Sequence, residues 1–178
     1  MYRQWRDQVR AGLRHVQQSR GQAFRATEHF RVYSSGLVPG LLQTEGYALA
    51  VLRMAANIHD VAIDDSAEAA HARVERSRII HEQGHRFVVV IEEPVMYCQI
   101  ADQDAMAAQL GYLLTAGALP AMSLGIIPMT AQRPRWPEET FHVYDDRLVR
   151  LRGRRPGSGR EGHRRAPLTP DMKKDSPA

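Results

Sequence analysis

The stretch that most restricts how this chain can fold is Arg-Phe-Val-Val-Val-Ile-Glu-Glu at residues 86–93. Phe87 to Ile91 are consecutive apolar residues, most of them β-branched, and Pro94 stops the run. A run this short and this apolar predicts a strand buried on both faces, within a sheet covered by helices. Three weaker strands fit around it: His29–Ser35, Met122–Met129, and Thr140–Asp146, where Phe141 and Val143 alternate with His142 and Tyr144. The segment Arg147-Leu148-Val149 either continues the last strand or pairs with it.

Helical spacing fills the intervals. Trp5, Val9, Leu13 and Val16 predict an amphipathic helix over roughly 2–18, and a short helix is expected near 22–29. Thr44 is placed to N-cap a helix whose stripe is Tyr47, Val51, Met54, Ala55 and Ile58. Ser66 is placed to cap the next, with Ala67, Ala70 and Val74 buried, although Ile79 and Ile80 fall off that stripe. Asp102 caps a fourth, with Met106, Leu110, Leu113, Leu114 and Gly117 in line. The expected class is α/β, with α+β as the alternative: about four strands packed with about four helices. The expected divisions are N-terminal linker helices at 1–29, an α/β domain at 30–149 and a basic, disordered tail at 150–178.

The formal charge of +4 is unevenly divided. Residues 150–178 hold nine Lys or Arg against three Asp or Glu, a balance of +6, which leaves −2 for residues 1–149. The folded part therefore carries no net basic charge for nucleic acid. Cys98 is the only cysteine, so an intramolecular disulfide and a Cys-rich zinc site are excluded, and the residue is expected to be a small buried hydrophobe. The charged start is unlike a secretory signal and no apolar run reaches a membrane span, so the expected location is the cytoplasm, with no membrane contact.

One catalytic spelling occurs. His81-Glu82-Gln83-Gly84-His85 reads H-E-x-x-H, which in a zinc peptidase sets two histidines on one helix face with the Glu as general base. Here Gly84 stands between the histidines and a strand starts at about residue 86. A glycine at that point predicts a helix C-cap, with His85 past the helix and pointing elsewhere. No G-x-S-x-G elbow, Walker-type loop or G-x-G-x-x-G is present. The acid pairs Glu92-Glu93 and Asp145-Asp146 read as solvated strand ends. The chain is expected to be non-enzymatic, without cofactor or metal; the zinc peptidase through His81, Glu82 and His85 is the enzymatic alternative.

Phe30-Arg31-Val32-Tyr33, Val38-Pro39-Gly40-Leu41-Leu42-Gln43-Thr44 and Tyr47-Ala48 resemble the signature of a domain of unknown function. That domain forms the C-terminal part of actinobacterial XRE-type helix-turn-helix transcription regulators. Some of these are described as antitoxin-like, because a small partner protein is often encoded beside them. Trp5–Gln17 resembles the linker helix before the signature, Ala72–Glu82 the arginine-marked helix after it, and Phe87–Met96 the strand that ends in an acid. The likeness covers roughly 2–149. It implies transcription regulation by an intact protein whose DNA-binding helices this chain lacks, with this part sensing a ligand or docking a partner. It also implies a departure at the tail, whose composition fits an out-of-frame reading of GC-rich DNA.

Within the signature, Pro39-Gly40 predicts a turn, with Leu41 and Leu42 beside a helix start. The turn serves either as architecture or as the lining of a pocket, in which Gln43 and Tyr47 supply polar contacts in an apolar wall. The candidate residues for a ligand or partner are Tyr33, Pro39, Gly40, Leu41, Leu42, Gln43, Thr44, Tyr47 and Glu92. Two further readings concern association. As a rival function, the tail arginines could hold nucleic acid by phosphate contacts alone, without stacking aromatics. An exposed sheet edge or apolar face would promote self-association.

Overall fold

The computed structural model describes residues 24–58, 65–134, 136–137, 139–146 and 148–151. The helix expected at 2–18 and the tail from 152 lie outside the described residues. The fold is α/β. A mixed five-stranded sheet has the order β3-β2-β1-β4-β5. The strands are β1 (His29–Ser34), β2 (Arg86–Glu92), β3 (Met122–Ile127), β4 (Phe141–Tyr144) and β5 (Leu148–Leu151). β1, β2 and β3 are parallel; β4 runs antiparallel to β1, and β5 antiparallel to β4. The segment after residue 147 thus pairs with β4 as a fifth strand.

Four helices join the parallel strands: α1 (Glu45–Ile58), α2 (Ser66–Ser77), the single turn α3 (Pro94–Tyr97) and α4 (Gln103–Gly117). α4 starts as expected, because the Asp102 carboxylate accepts the Ala105 N–H at 2.8 Å. α2 differs at its start: Asp65 holds the N-cap position and Ser66 is fully buried inside the first turn. After α2 the chain tightens into a 3-10 helix, Arg78–His81. The tighter winding turns both Ile79 and Ile80 into the core, which explains why they break the α-helical register.

Phe30, Val32, Phe87, Val89, Ile91 and Met122 project from one sheet face and are buried against Leu42, Tyr47, Val51, Ile80, Leu113 and Ala116. Phe30 and Phe87 stack at 4.8 Å, cross-strand neighbours in register. The expectation that β2 is buried on both faces is corrected. Its exposure alternates, and Val88 is 46% exposed. The side chain of β2 changes face at every residue, and the described helices cover only one face.

Three helix stripes are also rotated from expectation. In α2 the buried residues are Ser66, Ala69, Ala70 and Ser77, while Ala67 is exposed and Val74 half-buried. In α1 the buried residues are Tyr47, Ala48, Val51 and Leu52, while Met54 and Ile58 are exposed. Ala48 and Leu52 pack on Ala69 and Ala70 of α2, so small residues let the two helices close on each other as a second apolar cluster. In α4, Gln109, Leu113 and Ala116 face inward, and Leu110 and Leu114 face out. Cys98 is exposed rather than buried, because it is the extended residue that terminates α3.

Candidate functional site

The signature turn begins at Pro39, whose φ of −56° suits its ring. Residues Gly40–Leu42 form one 3-10 turn, closed by the Leu42 N–H donating to the Pro39 carbonyl at 2.8 Å. Leu41 and Leu42 are buried. Gln43 then extends the chain and is itself buried. Its Nε2 donates to the Val38 carbonyl at 2.7 Å, and its Oε1 accepts from the Arg73 guanidinium at 2.6 Å. Tyr47 is fully buried, and its hydroxyl accepts the Val38 N–H at 3.3 Å. The Ser77 hydroxyl lies 3.0 Å from the Gly40 carbonyl and 2.8 Å from that of Arg73.

The other half of this network comes from α4. Gln109 is 0% exposed. Its Nε2 donates to the Leu42 carbonyl at 2.6 Å, and its Oε1 accepts the Thr44 N–H at 2.8 Å, with the Thr44 hydroxyl 3.3 Å away. A 3-10 turn leaves backbone groups that no ladder takes up, and buried groups of that kind need a partner. Gln43 and Gln109 are neutral amides, each carrying donors and an acceptor, and so can meet both needs without burying a charge.

At the end of the turn this network opens to a cleft. Gln43, Thr44, Val74, Ser77, Arg78, His81 and Tyr112 line a volume of about 420 Å³. Val74 and the Tyr112 ring form an apolar wall, and burial holds the Tyr112 phenol above its ordinary pKa. Arg78 and His81 are exposed at the rim, and Arg78 is paired with Glu75 at 2.8 Å. Of the sequence candidates, Gln43 and Thr44 line the cleft; Tyr47 does not, and serves the core.

Tyr33 and Glu92 belong to a different place. They project from the opposite sheet face, at the C-terminal ends of β1 and β2. Glu92 is 4% exposed, not the solvated strand end expected. Arg133, from the loop after β3, grips it with two parallel hydrogen bonds of 2.7 and 2.6 Å, and the Tyr33 hydroxyl donates to it at 2.7 Å. The bonds from Arg133, with a lesser one from Tyr33, hold the Glu92 carboxyl below its ordinary pKa against the opposing effect of burial. The same pairing raises the pKa of Arg133.

The sequence profile of a family described as Domain of unknown function (DUF5753) matches residues 24–155. The chain belongs to this family. Comparison with curated proteins and with solved structures found no match.

In this DUF5753 domain the H-E-x-x-H residues do not share a helix face. His81 ends the 3-10 helix, Glu82 is extended, and Gly84 has φ +89°, where a side chain is disfavoured. His85 lies beyond that reversal, with Nδ1 2.7 Å from the Thr27 carbonyl and its ring against Phe30 and Phe87. The two imidazoles therefore separate: His81 goes to the cleft rim and His85 to the foot of the sheet. Among the described residues no group of three His, Cys, Asp or Glu is placed to hold a metal ion, and no helix is long and apolar enough to cross a membrane.

Asp145 also departs from a solvated strand end. It turns the β4–β5 hairpin with φ +50°, and its carboxylate accepts the N–H groups of Glu28 and His29 at 3.1 and 2.8 Å. Residues of the DUF5753 domain missed from sequence include Arg73, Ser77, Gln109 and Arg133 in the two networks and Arg78 and Tyr112 in the cleft. Gln109 carried a readable signal, because it falls four residues before Leu113 and seven before Ala116, a polar residue on the buried stripe. Arg133 carried none, since nothing in a proline-rich loop indicates which strand it will meet.

Proposed function

We propose that this DUF5753 domain is the non-enzymatic regulatory part of a helix-turn-helix transcription regulator, and that the cleft beside Gln43 and Thr44 takes its ligand or partner segment. The resemblance of residues 30–48 to the regulator signature supports the regulatory role. The observation that carries the site is the meeting of that signature with the cleft: its residues Gln43 and Thr44, which follow the internally bonded turn, form part of the cavity lining. A pre-formed cavity with an apolar wall, a few fixed polar groups and the Arg78 guanidinium at the rim suits a small molecule or side chain bearing a carboxylate.

The test is co-expression of the full chain with any small protein that sequencing finds encoded beside its gene, followed by calorimetric titration. The expected result is a one-to-one complex that Thr44→Arg or Tyr112→Ala weakens by roughly tenfold or more, as loss of an interface anchor does. A complex untouched by both substitutions would remove the cleft from the partner site. Absence of any complex would leave the small-molecule form of the reading, tested by thermal-shift screening with carboxylic acids against the same two variants.

A further inference from the structure

From Ala105 to Gln132 the sequence contains no Asp, Glu, Lys, Arg or His. That stretch builds most of α4, all of β3 and the start of the following loop. β3 is an edge strand, paired only with β2 among the described residues. A free edge is ordinarily guarded by charge, proline or a bulge, because its open hydrogen-bonding groups invite another strand. β3, Met-Ser-Leu-Gly-Ile-Ile, has none of the charge or proline guards.

The direction of the open groups can be read from the ladder. The Phe87 N–H donates to the Ala121 carbonyl and the Glu93 N–H to that of Ile127. With the parallel register this turns the odd-numbered residues of β3 toward β2. Leu124 and Ile126 therefore aim their N–H and C=O outward.

The side chains beside that edge are apolar. Leu110, Leu114 and Gly117 recur at i, i+4 and i+7 along one flank of α4. Gly117 sits against β3: a Cβ there would lie 3.3 Å from Leu124 Cδ2. The flank therefore overhangs the open edge, where Leu114 is 79% and Ile126 42% exposed.

From these observations we infer that β3 is a homodimerisation edge, pairing antiparallel with β3 of a second copy while the Leu110–Leu114 flanks of the two α4 helices pack across the two-fold axis. The choice of occupant follows from symmetry and charge. An antiparallel strand pair is self-complementary, so one edge serves both partners. A stretch without Asp, Glu, Lys, Arg or His meets its own copy with no like-charge repulsion, and offers a charged partner nothing to complement. This inference is independent of the cleft and of the regulatory reading.

The experiment is sedimentation velocity of the full chain over a dilution series, with two variants. Leu114→Glu puts a charge at a position already in solvent, and so leaves the monomer fold intact. Ile126→Pro removes an outward-facing N–H without taking a bond from the β2 ladder. The expected result is a concentration-dependent dimer whose dissociation constant rises roughly tenfold or more in each variant, with unchanged far-ultraviolet circular dichroism. A full chain that stays monomeric at every concentration overturns the inference, since the edge is then left free or covered by the chain itself. A dimer that neither variant weakens overturns it as well, by placing the contact on another surface. Should Ile126→Pro alter the dichroism, Leu114→Glu alone decides.

Discussion

The two faces of the sheet solve the burial of polar side chains in opposite ways. On the helix-covered face, Gln43 and Gln109 are neutral and satisfy backbone groups of the signature turn. On the other face, Glu92 is ionised and is satisfied by an arginine and a tyrosine from elsewhere in the chain. The first arrangement completes the backbone accounting of an irregular turn. The second joins a loop to the ends of two strands. The difference shows which polar residues the fold depends on: removing an amide strands backbone groups that cannot leave, whereas removing the carboxylate frees an arginine that can turn to water.

Gln109→Ala is the sharpest way to break the comparison. It orphans the Leu42 carbonyl and the Thr44 N–H together, at about 1–3 kcal/mol for each unpaired buried group, so a loss of roughly 2–6 kcal/mol is expected in urea unfolding. A loss below that of an ordinary surface substitution would mean that water reaches the turn and that the network is not the support described. Gln43→Ala comes next, at about 1–2 kcal/mol, because it strands one carbonyl and removes one acceptor from Arg73. A double variant at Gln43 and Gln109 should cost less than the sum of the two, since both act on the same turn.

Glu92→Gln has the smallest expected effect at neutral pH, and it sharpens the comparison through its pH dependence. The folded Glu92 carboxyl titrates below its ordinary range, held there chiefly by Arg133. Its contribution is then present above the unfolded carboxyl pKa, about 4.3, and disappears as pH falls through the lower folded value. Melting curves of the native chain and Glu92→Gln should differ at pH 7 and converge in that acid window. The Gln109→Ala deficit, which involves no titrating group, should hold constant across the same range. A Glu92→Gln gap that persists unchanged into acid would show that the carboxyl is not the ionised partner of Arg133.

Local chemistry explains what the sequence made legible. Pro39-Gly40, the Asp102 cap and the strand conformation of β2, though not its expected burial on both faces, act through their own neighbours, so their outcome is written beside them. Gly84 belongs with these: its position between two histidines predicted the reversal found at φ +89°. What escaped was set by distance. Tyr33 and Glu92 were singled out with the signature turn, yet strand alternation sends them to the other face. The stripes of α1 and α4 were misread because leucine and methionine satisfy a helical period whether or not a neighbour arrives to cover them. Leu114 is the clearest case, since only the position of β3 shows that it lies outside.

The central place of β1 has a consequence for how the polypeptide is made. Among the described strands β1 is the first to be synthesised, yet one of its neighbours, β4, is the last but one. The Asp145 carboxylate that fastens the N–H groups of Glu28 and His29 emerges later still. Until then a nascent chain that has completed β3 exposes two sheet edges, β3 on one side and β1 on the other. A ribosome stalled before codon 145 would therefore release a species prone to pair with itself at the wrong strand.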